Sequence, residues 1–353
     1  MYVIMKEIQW LRIGKNSQSS SRWCNAHLVS PNIVSIMAPQ DFIQSRLKKL
    51  NQTTGIPAQN NPEDQIVKLT LSKRFRKYSA NDTLINHVKE VVHYCVERNL
   101  PINFTFLHGA YKLWRLEEAP CADWAELFAL MYYTNYVKNI CTIYEPGVWF
   151  DFFVDDWIIE DIDNISPDEI KSYLDSYRAL IDFLRPYQPN NLKITITPVS
   201  SQFASRQEFE QKLSDNEQNL ELPELDEVAS RMVELNAKVD DSVKADPKWR
   251  EKIYRKHNAY MIIKGETGYH KNRPDKILTF SQPLPSGTTI SLGTTKTSIA
   301  KFWVGVGALK IDGDLYKEVI LSPRQLEDTE FDWQEIHIEH LDGKNFQKIR
   351  IVS

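Results

Sequence analysis

The sequence predicts an α/β protein in which a mostly parallel sheet is flanked by helices and followed by a β-rich C-terminal part. Three short apolar runs alternate with helix-patterned segments between residues 81 and 199. This alternation is typical of strands joined by helical crossovers in a parallel sheet. From residue 276 onward, short strand-like runs separated by turn signals replace the helical spacing. Strands are therefore expected to dominate the last part of the chain.

The first helix and strand of the α/β unit are predicted within residues 81–107. Apolar residues recur at helical spacing from Leu84 to Cys95. The helix ends at Asn99-Leu100-Pro101, because a proline disfavours the helical conformation of the residue before it. The segment INFTFL that follows is rich in aromatic and β-branched residues, and it predicts a strand over 102–107.

A longer helix is predicted from about Cys121 to Ile143 by its apolar stripe. The turn Glu145-Pro146-Gly147 ends it, and VWFDFFV forms the next strand at 148–154. Ser166-Pro167-Asp168-Glu169 marks the start of another helix, since it combines a capping box with a proline at the first helical position. That helix is expected to reach about residue 187, and a third strand is predicted over 192–199.

These elements divide the chain into four predicted parts. They are an N-terminal arm at 1–60, the α/β core at 61–204, a helical segment at 205–265 and the β-rich part at 266–353. The arm contains one predicted short helix, over 39–50. In the third part, charged helical patterns predict helices over 205–214, 225–239 and 247–264.

Composition is that of an ordinary globular chain. The 353 residues are 42% hydrophobic and 25% charged, with a formal net charge of −4, which gives no global attraction to nucleic acid or an anionic membrane. No apolar run approaches the roughly 20 residues that a membrane-spanning helix needs. Four scattered cysteines show no metal-ligand spacing, and two of them, Cys121 and Cys141, are predicted within one helix. We therefore expect a cytoplasmic protein without nucleic-acid or membrane partners.

Candidate site residues follow the predicted strands, because ligands bind beyond the carboxyl ends of the strands in an open α/β sheet. After the first strand come His108, Gly109, Tyr111, Lys112 and Arg115. Gly109 permits a ligand to approach the backbone closely, and Lys112 and Arg115 suit a phosphate or carboxylate. Alternatively, these two cations pair with the acidic residues that follow them in the loop.

Two pairs of carboxylates are further candidates. Asp123 and Glu126 lie three residues apart on one helix face, where they can bind an amine or move protons. Acidic residues also favour helix N-termini, where they offset the helix dipole, so a purely structural role stays open. Asp155 and Asp156 follow the second strand and can hold a divalent metal with a sugar nucleotide, although paired aspartates are common where strands end.

The stretch from residue 101 to 161 resembles the isocyanide (isonitrile) synthases, which are grouped with pyoverdine and dityrosine biosynthesis proteins. The matching pieces are Lys112, the helix start Ala122-Asp123-Trp124-Ala125-Glu126, the turn Ile143-Tyr144-Glu145-Pro146-Gly147, and Asp155 with Asp161 six residues later. Asn258-Ala259-Tyr260 is similar to an Ala-Tyr pattern that precedes the C-terminal strands in this family. The family's late Arg-Leu-Ser-Ile-His-Pro strand corresponds here to residues 277–283, without its Arg and His.

This resemblance implies a Rossmann-like transferase of secondary metabolism that works without a metal or cofactor. Such an enzyme condenses the amine of an amino acid, or a related amine, with the keto group of ribulose 5-phosphate to form an isonitrile. With this resemblance, Asp123 and Glu126 fit the amine site and proton transfer, and Asp155 and His108 are second-line catalytic candidates. Lys112 and Arg115 fit an anion clamp for the phosphorylated sugar, and Tyr111 and Gly109 beside them are further candidates for substrate binding. A downstream iron and 2-oxoglutarate oxygenase is the implied partner in the pathway.

Two other functions stay open from the sequence. A metal-dependent glycosyltransferase would use Asp155 and Asp156. A non-catalytic relative that has lost the His-containing strand would bind only a small ligand or a partner. A phosphate-binding glycine loop and a nucleophile elbow are both absent from the sequence, so neither a P-loop enzyme nor an α/β-hydrolase is indicated.

Overall fold

A computed structural model of the chain describes residues 37–52, 61–109, 116–220, 237–266, 277–280, 292–293, 295 and 297–353. All of the described residues belong to one compact unit, Ile36–Ser353. The architecture given below is that of this unit.

The helices begin where their capping side chains predict. Asn81 accepts a hydrogen bond of 2.9 Å from the backbone N–H of Leu84, and Ser166 and Glu169 close a capping box at the start of the sixth helix. Within the described residues the helices are α1 (Pro39–Lys48), α2 (Pro62–Thr70), α3 (Asp82–Glu97), α4 (Trp124–Ile143), α5 (Asp156–Asp163), α6 (Pro167–Leu184), α7 (Arg206–Asn219), α8 (Asp241–Lys244), α9 (Pro247–Glu266) and α10 (Pro323–Glu327). Short 3-10 turns occupy Arg185–Tyr187, Val199–Gln202, Ser298–Val304 and Lys344–Phe346.

The first sheet is parallel throughout. Its strands are β1 (Ile102–His108), β2 (Val148–Val154), β3 (Leu192–Pro198) and β4 (Leu278–Thr279), in the order β3-β2-β1-β4. The register places His108 opposite Val154, and Val154 opposite Pro198. The carboxyl ends of the three long strands therefore meet at one edge of the sheet, which is where an open α/β sheet places its ligands.

The second sheet is mixed and lies in the C-terminal part. Its strands are β5 (Val306–Asp312), β6 (Leu315–Leu321), β7 (Phe331–Glu335) and β8 (Lys348–Val352), in the order β6-β5-β8-β7. β5 and β6 form an antiparallel hairpin, and its turn uses Gly313 at φ +62°, a conformation that favours glycine. β5 also pairs in parallel with β8.

Helix α4 connects the two sheets through one continuous core. It is buried on nearly every face, as expected for a helix that is apolar all round. On one side the ring of Tyr133 packs against Phe150 of β2 with 5.0 Å between ring centroids. On the other side the indole N–H of Trp124 donates to the carbonyl oxygen of Lys348 at 2.8 Å. The start of α4 is therefore held in place by the second sheet.

The structure confirms the predicted fold class of a mostly parallel sheet flanked by helices with a β-rich C-terminal part. It also corrects details. The prediction that Cys121 shares a helix with Cys141 is wrong, because the cap at Asp123 starts α4 only at Trp124. The sequence analysis missed α5, which begins directly after β2. The helix predicted over 225–239 falls almost entirely outside the described residues, and Ala237 and Lys238 at its end are not helical.

The division into four parts stays a prediction, although two elements cross its boundaries. α1 lies within the predicted arm, yet Ile43 and Leu47 belong to the main core and Arg46 forms a 2.8 Å ion pair with Glu318 of β6. β4 lies beyond residue 266 and pairs with β1 of the first sheet. Among the described helices, none is long and apolar enough to span a membrane.

Candidate functional site

His108 ends β1 and is almost fully buried, with 3% of its surface exposed. Its Nδ1 lies 2.8 Å from the carbonyl oxygen of Gly109. Because a carbonyl oxygen can only accept, Nδ1 carries the proton, and Nε2 is the acceptor in the neutral ring. The ring lies 4.9 Å from that of Phe302 and 6.1 Å from that of Tyr177, between centroids. Aromatic side chains therefore fix the position of the imidazole.

Asp123 and Glu126 form a reciprocal capping box at the start of α4. The carboxylate of Asp123 accepts from the backbone N–H of Ala125, and that of Glu126 accepts from the backbone N–H of Asp123 at 2.9 Å. The backbone N–H of Gly307 in β5 also reaches Asp123, at 3.3 Å. Both carboxylates are buried, at 1% and 0% exposure. They have the structural role that helix N-termini favour, and chemistry at these groups stays a prediction.

Helix α6 adds two tyrosines to this group. The hydroxyl of Tyr173 donates to Oε1 of Glu126 at 3.1 Å, and Tyr177 lies one turn further along the same helix face. Burial raises the pKa of both phenols well above the ordinary value, and the charge of Glu126 raises it further. Both hydroxyls therefore stay protonated and act as neutral donors near pH 7. We use the name carboxylate–tyrosine site for His108, Asp123, Glu126, Tyr173 and Tyr177.

Asp155 lies at the neighbouring strand end, where its backbone N–H donates to the carbonyl oxygen of His108 at 3.3 Å. Its side chain accepts a hydrogen bond of 2.6 Å from the hydroxyl of Tyr260 in α9. The backbone of Asp155 is therefore bonded to that of His108 at the edge of the sheet, while its carboxylate is bonded to Tyr260 of α9. Asp155 thus lies beside the carboxylate–tyrosine site, but Tyr260, which donates to its side chain, is a residue outside that site.

Asp156 is bonded to the turn that follows β3, not to α9. Its Oδ1 accepts from the backbone N–H of Ser200 at 3.0 Å. Burial raises its pKa, hydrogen bonds from Ser200 lower it in part, and the neighbouring charge of Asp155 raises it again. Within the described residues, no group of three or more His, Cys, Asp or Glu side chains is arranged to hold a metal ion. The two aspartates that a metal-dependent glycosyltransferase would use as metal ligands, Asp155 and Asp156, thus accept hydrogen bonds from Tyr260 and Ser200.

The remaining predicted residues fall into two groups. Tyr111, Lys112 and Arg115 lie outside the described residues, so the anion clamp assigned to them stays a prediction. Gly109 is described and is buried directly after His108. Asp161, which matched the family's second strand-exit aspartate, forms ion pairs with Arg206 and, at 3.7 Å, with Lys256.

Sequence reasoning missed three aromatic residues of this region: Tyr173, Tyr177 and Phe302. Tyr173 and Tyr177 carried a usable signal, because two tyrosines spaced by four residues share one face of a predicted helix. Phe302 carried none, since it reaches His108 from a 3-10 turn nearly 200 residues further along the chain. Tyr260 had been noted only as part of an Ala-Tyr pattern.

The fold and the strand-edge site define a Rossmann-like α/β protein with an added mixed sheet. No protein family model and no curated protein sequence matches the chain. Its structure is similar to the crystal structure of the PvcA protein from Pseudomonas aeruginosa, with a TM-score of 0.58 and 17% identity. The match covers 83% of this chain and 100% of that chain. At this identity the likeness establishes the shared fold.

Proposed function

We propose that the protein is a biosynthetic enzyme of the isocyanide synthase type, which joins the amine of an amino acid or related amine to the keto carbon of ribulose 5-phosphate. The observation that carries this proposal is the buried pair Asp123 and Glu126. Glu126 accepts a hydrogen bond from Tyr173, whose ring lies 6.4 Å from that of His108 at the carboxyl end of β1. The sequence resemblance assigns the same two carboxylates to the amine. The shared fold with PvcA gives independent support.

The capping role of the two carboxylates is compatible with chemistry. A carboxylate has about four lone-pair positions, so accepting from the N–H of Asp123 and from Tyr173 does not by itself prevent such a group from meeting an amine. An ammonium group at this buried position would be held more strongly than in water, because the local dielectric is low. Glu126 is then placed to take a proton from this ammonium group, which frees the nitrogen lone pair to attack the keto carbon.

The other residues have supporting roles in this proposal. His108, with Nδ1–H bonded to Gly109, offers Nε2 as a proton acceptor or, when protonated, as a donor. Asp155 is a further acid or base candidate at the adjacent strand end. Lys112, Arg115 and Tyr111 are proposed to hold the phosphate, since a charged clamp fixes the reacting ends of two substrates in register.

The proposal is tested by product formation. The purified protein is incubated with ribulose 5-phosphate and each amino acid in turn, and a tetrazine traps any isocyanide for mass spectrometry. We expect one adduct whose isocyanide carbon carries the label when the sugar is ¹³C-labelled. No adduct with any of the amino acids would contradict the proposal. A gene for an iron and 2-oxoglutarate oxygenase beside this one would support the predicted pathway partner.

Two matched variants separate chemistry from helix capping. Glu126→Gln keeps an acceptor for the N–H of Asp123 but cannot take a proton, so product formation should fall by about a hundredfold or more. Glu169→Gln makes the same change in the capping box of α6, away from the carboxylate–tyrosine site, and should leave product formation unchanged. Equal activity of the two variants would mean that Glu126 only caps α4.

A further inference from the structure

Two buried tyrosine hydroxyls, one in the carboxylate–tyrosine site and one on α4, have no hydrogen-bond partner among the described residues. They belong to Tyr133 of α4 and Tyr177 of α6, both fully buried, and neither hydroxyl contacts a donor or acceptor among the described residues. Other tyrosines of the same core are satisfied. Tyr136 donates to the carbonyl oxygen of Thr70 at 2.6 Å, and Tyr144 to that of Leu100 at 2.8 Å. Tyr133 and Tyr177 therefore differ from these two tyrosines in having a buried hydroxyl without a described partner.

The surroundings of these hydroxyls connect them to the proposed chemistry. The ring of Tyr177 packs 6.1 Å from that of His108 and 5.9 Å from that of Tyr173. Tyr177 also lies within electrostatic reach of Glu126 and Tyr133, and both raise its pKa beyond the effect of burial. Both hydroxyls are thus neutral O–H donors, and Tyr177 interacts electrostatically with Tyr133 and with the carboxylate that is proposed to handle the amine.

An unsatisfied buried hydroxyl costs stability, because it gives up its bonds to water without replacement. A protein that keeps two such groups in its core recovers this cost when a bound ligand accepts their hydrogen bonds. We propose that the hydroxyls of Tyr177 and Tyr133 donate hydrogen bonds to an uncharged carbonyl oxygen of the substrate. This inference rests on the proposed function, and it identifies that oxygen as the keto oxygen of the sugar phosphate.

The negative charge of the site determines which end of the sugar phosphate points toward the tyrosines. A phosphate would be repelled by the buried carboxylates Asp123 and Glu126, whereas a neutral keto group is not. The keto end therefore enters toward the tyrosines, and the phosphate stays outside. The ring of Phe302 lies 6.3 Å from that of Tyr177 and 4.9 Å from that of His108, between centroids, so this end of the site is apolar as well as uncharged at the aromatic rings.

The two donors act on one step of the condensation. The amine lone pair forms the C–N bond, and the π electrons of the carbonyl move onto its oxygen, where the phenols stabilise the developing charge. The nitrogen loses its protons through Glu126, and the oxygen takes up two protons and leaves as water. An imine and one water molecule result from one amine and one ketone, so the atoms balance.

The test compares ribulose 5-phosphate with ribitol 5-phosphate, in which a CHOH group replaces the carbonyl. Binding is measured by calorimetry on the wild type, Tyr177→Phe, Tyr133→Phe and the control Tyr136→Phe. We expect the wild type and Tyr136→Phe to prefer the ketose about tenfold or more, and Tyr177→Phe and Tyr133→Phe to lose that preference. A wild type without preference, or a Tyr177→Phe variant that keeps it, would overturn the inference.

Unfolding of the ligand-free variants provides a second readout. Tyr177→Phe and Tyr133→Phe remove only hydroxyls without a described partner, so the urea midpoints of these variants should equal or exceed that of the wild type. Tyr136→Phe loses the hydrogen bond to Thr70, so its urea midpoint should fall. If the first two fall as Tyr136→Phe does, their hydroxyls serve the fold and the inference fails. Loss of the keto preference in Tyr177→Phe without any isonitrile product would refute the proposed function and leave this inference standing.

Discussion

The hydroxyl of Tyr260 donates a hydrogen bond of 2.6 Å to Oδ1 of Asp155, and both side chains are buried. This bond joins two elements that are 105 residues apart in sequence. Asp155 ends β2, and Tyr260 lies in α9, the helix that packs against α5 and α7 on this side of the strand edge. The late helix therefore holds a carboxylate at the edge where the candidate site lies.

Removing this hydroxyl should affect both folding and activity. Tyr260→Phe leaves the ring in place and takes one donor from Asp155, at a cost of about 1.5–3 kcal/mol in the free energy of unfolding, typical of a hydrogen bond to a charged group. If Asp155 takes part in proton transfer, kcat should fall about tenfold or more, with a smaller change in KM. Tyr254→Phe, a buried tyrosine of the same helix without a hydroxyl bond to any described residue, is the control for ring packing. Equal kcat values for the two variants would show that the bond only fastens α9.

A side chain at residue 307 should disturb the start of α4. A Cβ built on Gly307 would lie 2.4 Å from Cβ of Trp124 and 2.6 Å from the backbone nitrogen of Ala125. Gly307→Ala should lower the free energy of unfolding by about 2–3 kcal/mol through overpacking. It should also reduce activity, because the N–H of Gly307 bonds to Asp123. Urea unfolding and product assays measure the two effects.

Gly313→Ala is the comparison for that variant. Its φ of +62° strains an alanine, yet nothing lies within 4 Å of the added Cβ, so it should cost about 1–2 kcal/mol. Because it lies at the tip of the β5–β6 hairpin, activity should stay unchanged. Full activity in Gly307→Ala would show that the close contact with α4 does not position the carboxylates.

Local rules explain which parts of the fold the sequence predicted. Strand and helix boundaries near Asn81, Ser166 and Gly147 depend on caps and turns within a few residues, and these are correct. The start of α4 was placed too early, because apolar spacing continues into residues that only the cap at Asp123 excludes. α5 was missed although Ile158, Ile159 and Ile162 have helical spacing, since the paired aspartates before them were interpreted as a strand exit.

The site was harder to predict than the fold, for a physical reason. Asp123, Glu126 and His108 could be selected because strand ends and helix starts are visible in sequence. Their partners Tyr173 and Phe302 depend on how α6 and the turn at Ser298–Val304 pack over the sheet. That packing is a tertiary property, and it leaves no periodic pattern at the contacting residue itself.

The buried ion pair between Glu118 and Arg350 should be sensitive to loss of either partner. The two side chains are 7% and 5% exposed and are bonded to each other. The guanidinium also lies 4.2 Å from the ring centroid of Trp333. Glu118→Gln leaves a buried cation uncompensated, so the free energy of unfolding should fall by about 3–5 kcal/mol.

A double variant shows whether charge is the cause. Glu118→Gln combined with Arg350→Met removes both charges and should be more stable than Glu118→Gln alone, because no unpaired ion remains. Urea unfolding of the single and double variants gives the coupling between the two side chains. Strictly additive losses would indicate that packing of the arginine against Trp333, rather than the ion pair, holds the segment after residue 116 to β8.

The raised pKa of Asp156 predicts a pH-dependent stability. Burial disfavours its charged form in the folded protein, with hydrogen bonds from Ser200 offsetting this only in part. The stabilisation that the protonated group provides is complete below the unfolded pKa of about 3.9 and is lost as the pH rises through the higher folded value. Asp156→Asn stays neutral and can still accept from the N–H of Ser200. Its melting temperature relative to wild type should therefore rise between pH 4 and pH 7.

Asp175→Asn provides a control of opposite sign. The hydrogen-bonded Lys171 ammonium lowers the pKa of Asp175, and Arg178 adds to this, so the charged form stabilises the folded protein above the unfolded pKa. Asp175→Asn should accordingly be less stable than wild type at pH 7, and the difference should vanish as the pH falls through the lowered folded value. Calorimetric melting from pH 2 to pH 7.5 measures both variants. An Asp156→Asn variant that is less stable than wild type at pH 7 would mean that the folded protein uses the charge of Asp156, as a metal or a cationic ligand at the end of β2 would require.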